Sequence, residues 1–106
     1  MSDFPEVNAD TFQYQVQESV LPVLVDFSAP WCSPCKRLEP ILQQLSLEWE
    51  SRVTFVKVNV DESPELAMKY QVMSVPTVIM FHQGKETART IGLQTREKLV
   101  ERFMPA

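Results

Sequence analysis

The chain has 106 residues, 44% hydrophobic and 23% charged, which suits one domain spanning 1–106 around a single core. Ten Lys and Arg against fourteen Asp and Glu leave a formal charge of −4, which argues against a phosphate-binding nucleic-acid protein. No apolar run approaches the roughly 20 residues that cross a bilayer, so no membrane partner is expected either.

The start, Met1-Ser2-Asp3-Phe4-Pro5-Glu6, is acidic and lacks the basic and apolar regions of a signal peptide, so a cytoplasmic protein is expected. Asp10 with Gln13 three residues on forms a capping-box pattern, and Phe12, Val16 and Val20 recur every four residues. A helix is predicted near 10–19. The run from Val20 to Phe27 is almost unbroken in apolar residues and rich in β-branched ones. It reads as a strand buried on both faces, as in a sheet covered by helices. Leu38, Ile41, Leu42, Leu45 and Trp49 then share one helical stripe, with Pro34 suited to the first helical position. Pro40 removes a backbone hydrogen bond inside that stripe. A kink is expected there, not a break, because the stripe continues past it.

Val53 to Val58 reads as a second buried strand. Ser63-Pro64-Glu65 opens a short helix, with Ser63 as cap and Leu66, Ala67 and Tyr70 facing inward. Thr77 to Phe81 is a third apolar strand, and His82-Gln83-Gly84-Lys85 turns into a more polar edge strand over Thr87–Ile91. Thr95 caps a last helix whose apolar face is Leu99, Val100, Phe103 and Met104. The segment before Asp10 is a weaker strand candidate because of Pro5. This order implies an α/β fold: a mixed sheet of four to five strands, helices on both faces and a right-handed first crossover.

Two cysteines are too few to staple a secreted scaffold, so their spacing carries the meaning. Cys32 precedes the helix, where unpartnered N–H groups and the positive end of the macrodipole favour a thiolate. Cys35 falls in the first turn, within bonding reach and expected to be the more shielded. In this reading Cys32 attacks a substrate disulfide and Cys35 resolves the mixed disulfide. Other readings compete. A zinc site needs about four ligands, and His82 in a distant turn is the only other soft donor, so no metal is expected. A haem attachment needs His after the second cysteine, where Lys36 stands. Two inert core cysteines remain a competitor, weakened by their placement at a helix start beside Trp31.

Asp26 falls on a buried strand with Leu24 and Ser28 on its face, and Lys57 interrupts the valines of the next strand. One reading is an internal ion pair tying the strands. The other is a carboxylate of raised pKa that exchanges protons with Cys35 through water, with Lys57 in support. Val75-Pro76 taken alone reads as a trans proline opening a strand.

Val25-Asp26-Phe27-Ser28-Ala29-Pro30-Trp31-Cys32-Ser33-Pro34-Cys35-Lys36, Pro40, Lys57-Val58-Asn59-Val60-Asp61, Val75-Pro76-Thr77, Gly84 and Gly92 together resemble the thioredoxin family. The match runs in register from about residue 8 to the C-terminus. The resemblance implies the thioredoxin fold and the reduction of protein disulfides, with Cys32 as nucleophile, Cys35 as resolving thiol, Asp26 as buried base and Lys57 as its partner. It implies a cis Pro76 facing the disulfide and a Val75 backbone that receives an extended substrate segment. Trp31, Val75 and Gly92 would line an apolar groove, which Met73 and Leu93 extend by position. Ser33, Pro34 and Pro76 are expected to tune the redox poise.

The sequence also departs from the family. Ser33 stands where Gly is usual, Ser28 where Trp is frequent and Ser74 where many relatives have Gly. The Ser33 hydroxyl has two readings: a hydrogen bond to the Cys32 thiolate that makes the protein more oxidising, or a plain helix cap. The resemblance further implies a monomer without metal or organic prosthetic group, recharged by a thioredoxin reductase, the NADPH-dependent flavoenzyme of this family. Its clients would be oxidised proteins such as reductases and peroxidases. A thiol oxidase or isomerase on the same fold, and a non-catalytic adaptor, are the alternatives.

Overall fold

The computed structural model describes residues 4–105. Its centre is β1 (Val23–Ser28), parallel to β2 (Thr54–Asn59) and antiparallel to β3 (Thr77–His82). β3 pairs in turn with β4 (Lys85–Ile91), giving a mixed sheet in the order β2-β1-β3-β4. Helices α1 (Ser33–Glu48), α2 (Pro64–Lys69) and α3 (Arg96–Phe103), with a π-helix over Gln13–Gln17, cover it.

Alternation along the strands divides the core in two. On one face Leu24, Val78 and Met80 meet Leu38, Leu42 and Leu45 of α1 and Leu99 and Phe103 of α3. On the other, Val25, Phe27, Val56 and Ile79 meet Val16 of the π-helix and Leu66 of α2. Trp49 closes the first cluster, 3% exposed, beside Phe55. α1 runs unbroken through Pro40, which lacks the N–H that would reach the carbonyl four residues back.

Several expected boundaries move. Asp10 caps nothing. The Asn8 side chain instead accepts from the N–H groups of Asp10 and Thr11, at 2.9 and 3.1 Å, and the chain enters a short π-helix closed by Glu18 N–H to the Gln13 carbonyl. Val20 belongs to neither helix nor strand and is 90% exposed, because pairing of β1 starts only at Val23. Ser63 sits before α2 but makes no capping hydrogen bond. Thr95 does cap α3, accepting from Lys98 N–H at 3.1 Å. Met104 leaves the apolar face of α3, since the helix has ended and the backbone is extended there. β4 begins at Lys85, two residues early, because His82 and Lys85 close a two-residue turn. Gln83 and Gly84 in that turn both take positive φ, 54° and 82°, the conformation such tight hairpins require. Among the described residues the N-terminal segment contributes one bridge, Glu6 to Lys57, and no named fifth strand.

Candidate functional site

Cys32 occupies the N-cap of α1, in extended conformation, and its Sγ accepts from the Cys35 N–H at 3.2 Å. A sulfur therefore does what a Ser or Asp oxygen does at other helix starts, in the field of the helix's unpartnered N–H groups. The two cysteines are disulfide-bonded, with Cα atoms 5.3 Å apart. Both are 3% exposed, so in this oxidised form Cys35 is no more shielded than Cys32. What differs is the neighbourhood of each. Ser33 is the first helical residue, exposed and without a side-chain hydrogen bond, so it is not the cap.

Cys32 packs toward Val75. Its Sγ lies 3.7 Å from the Val75 carbonyl oxygen, and Val75 precedes a buried Pro76 through a cis peptide bond, as the resemblance implied and the isolated dipeptide did not. Trp31 is 68% exposed, and its indole N–H donates to Asp61 Oδ2 at 2.9 Å. Trp31, Met73 and Val75 line a depression of about 300 Å³ together with Val60 and Met68. Gly92 and Leu93 lie outside it. Gly92 donates its N–H to the Pro76 carbonyl at 2.8 Å, and Leu93 stands 40% exposed beyond.

Cys35 faces the other way, into a cleft of about 570 Å³ bounded by Ser28, Lys36, Glu39, Lys57 and Glu6. Asp26 lies beside this region, 1% exposed, directly opposite Lys57 across the β1–β2 register. The two do not form the ion pair that one reading expected. The ion pairs among the described residues are Arg89–Glu86, Arg96–Glu48 and Lys98–Glu101. No protein group hydrogen-bonds to Asp26 Oδ1. Burial first, then the charge of Glu39, pushes the Asp26 carboxyl up to about 7, against the opposing pull of Lys57.

Sequence reasoning missed three neighbours. Asp61 stood within the quoted Lys57–Asp61 run, yet nothing in the pattern showed that it fixes the Trp31 ring. Met68 was hidden in a short helix read only for its inward face. Glu39 stands four residues after Cys35, the spacing that puts two side chains on one side of a helix, and that spacing could have found it.

A redox-active cysteine pair at the start of a helix, on a mixed sheet with helices on both faces, defines a thiol–disulfide exchange protein. A family model described as thioredoxin matches residues 3–104. The thioredoxin of Rickettsia bellii is 44% identical over 95 residues, covering 90% of each chain. Thioredoxin M4, chloroplastic, of Arabidopsis thaliana is 43% identical over 105 residues, covering 96% of this chain and 54% of that one. Thioredoxin 1 of a Nostoc species is 39% identical over 92 residues, covering 87% of this chain and 86% of its own. The chain belongs to the thioredoxin family. It is a thiol–disulfide oxidoreductase that reduces protein disulfides.

Proposed function

We propose that Cys32 is the attacking sulfur, Cys35 the resolving one and Asp26 the group that takes the Cys35 proton. The observation that carries this is the asymmetry around the disulfide: Cys32 Sγ meets the carbonyl of Val75, which with Trp31 lines the exposed apolar depression, and Cys35 lines the cleft beside the buried carboxylate. In the reduced protein the Cys32 thiolate, stabilised at the helix start, attacks a client disulfide. A mixed disulfide forms and one client thiolate leaves. Cys35 passes its proton through water to Asp26 and attacks Cys32 Sγ. The Cys32–Cys35 disulfide forms, the second client thiolate leaves, and two electrons have moved from the dithiol to the client. Lys57 supports Asp26 as the facing positive charge. Ser33, Pro34 and Pro76 adjoin the sulfurs and tune the poise.

The client segment docks in the Trp31–Met73–Val75 depression and adds to the backbone at Val75, with Gly92 and Leu93 at its far end. No metal or organic group is required, because the exchange balances with the protein's own sulfurs. NADPH supplies electrons only indirectly, through a thioredoxin reductase. The clients are oxidised proteins such as reductases and peroxidases, met by a monomer in the cytoplasm. No helix among the described residues is long and apolar enough to cross a membrane.

Cys35→Ser tests the assignment of roles. With an insulin-type disulfide the variant should stop after the first step, leaving a mixed disulfide on Cys32 that is visible by mass spectrometry under non-reducing conditions. A trap that instead formed on Cys35 in Cys32→Ser, at an equal rate, would reverse the roles.

A further inference from the structure

Glu39 plays no part in the scheme above, yet it stands one helical turn after Cys35 and lines the same cleft as Cys35 and Lys57. Asp26 lies across the strand register from that lysine, buried and with Oδ1 unpartnered. Two carboxylates on different elements therefore flank Lys57, Glu39 beside it in the cleft lining and Asp26 opposite it in the strand register. We infer that Glu39 is a positioning residue for the proton Cys35 loses: it competes with Asp26 for Lys57, and so sets the pH at which the buried carboxylate can accept that proton.

The other groups around Asp26 leave this role to Glu39. β3 presents Val78 opposite Asp26, and α3 adds Leu99 and Phe103 to that face, none of them charged. β2 supplies Lys57, and α1 supplies Glu39, Cys35 and Lys36. The N-terminal segment supplies Glu6, whose carboxyl is hydrogen-bonded to Glu62 and thereby held above its ordinary value. The charges acting on Asp26 are those of Glu39, which raises its pKa, and Lys57, which lowers it. Removing the Glu39 charge leaves Lys57 unopposed, so Asp26 ionises more readily.

The proposal rests on Asp26 being the proton acceptor, and the test separates the two claims. The Asp26 carboxyl is followed by ¹³C NMR in the full chain. Single-turnover reduction of insulin by the dithiol protein is followed by quenching and alkylation across pH 5.5–9, a range chosen to bracket the Asp26 value of about 7. Glu39→Gln should lower the Asp26 midpoint by about half a unit, the size expected for two carboxylates across a partly wet cleft. The rising limb of the rate profile should move with it, giving up to about threefold faster turnover just below neutrality. Glu39→Asp, which keeps the charge, should restore the wild-type curve, and Glu101→Gln, at an exposed position of α3, should change neither.

An unmoved Asp26 midpoint in Glu39→Gln overturns the inference, even where Asp26→Asn flattens the limb and so upholds Asp26 as acceptor. A midpoint that moves while the limb stays fixed also overturns it. A wild-type limb in Asp26→Asn removes Asp26 from the exchange, and Glu39 with it.

Discussion

The two faces of the sheet are built on different terms. Beneath the π-helix and α2, every inward position of β1 is apolar: Val23, Val25 and Phe27, all fully buried. Beneath α1 and α3 the row begins the same way with Leu24 and then breaks at Asp26, opposite Lys57 in β2. The first face is apolar along the whole of β1. The second gives up packing at the end nearest the cysteines and takes a carboxylate whose burial is unfavourable. Such a residue, unpaired and buried in line with Leu24 and opposite Val78, marks where stability has yielded to chemistry.

Phe27→Ala on the apolar face should show the largest effect. The ring is fully buried between strands and faces Tyr70 at a centroid distance of 6.5 Å. Its loss should destabilise the fold by about 3–5 kcal/mol in urea melts, roughly independent of pH. A loss under 1 kcal/mol would mean that this face collapses around the cavity and is no better packed than the other.

Asp26→Asn should do the reverse. The folded carboxyl titrates near 7, whereas its ordinary value is 3.8, so between those values the folded chain holds a proton that the unfolded chain has released. Wild-type stability therefore falls as pH rises from about 4 to about 7 and levels off above, by as much as about 4 kcal/mol if the whole shift is realised. The asparagine variant lacks this term. Its stability relative to wild type should climb by a few kcal/mol between pH 4.5 and pH 8, read from paired urea melts. A difference constant with pH would show that Asp26 is solvated in the fold, and the contrast between the faces would vanish.

This contrast was legible in the sequence, because alternation alone put Asp26 with Leu24 and isolated Lys57 among valines. The stripe from Leu38 to Trp49 likewise gave α1 across Pro40. What it left hidden was set by partners distant in the chain. Val20 extends the apolar run but has no strand beside it, since Pro22 already accepts the first bond from β2 through Thr54 N–H at 2.9 Å. Asn8 outcompetes Asp10 at the first turn because its carboxamide reaches two N–H groups at once. Glu39 escaped notice because the stripe was read for its apolar members only. The side of α1 that meets the cleft carries its signal in charge.

The smallest effect belongs to the end of the sheet, where the two sulfurs separate an open side from a buried one. If the poise is set from the buried side alone, through Asp26 and Glu39, then the exposed residue between the cysteines is irrelevant to it. Ser33 contradicts that on chemical grounds. Once the disulfide opens, Cys32 becomes an anion at the N-cap, and a hydroxyl on the adjacent first helical residue is a donor that Gly would lack. A bond present only in the reduced form stabilises that form and raises the potential. A net 1 kcal/mol corresponds to about 20 mV, so Ser33→Gly should equilibrate about 20 mV more negative than wild type against a glutathione buffer. Ser33→Ala should follow Gly if the hydroxyl is responsible. If Ala keeps the wild-type potential while Gly shifts it, backbone freedom at the helix start is the cause, and the open side contributes conformation in place of a hydrogen bond.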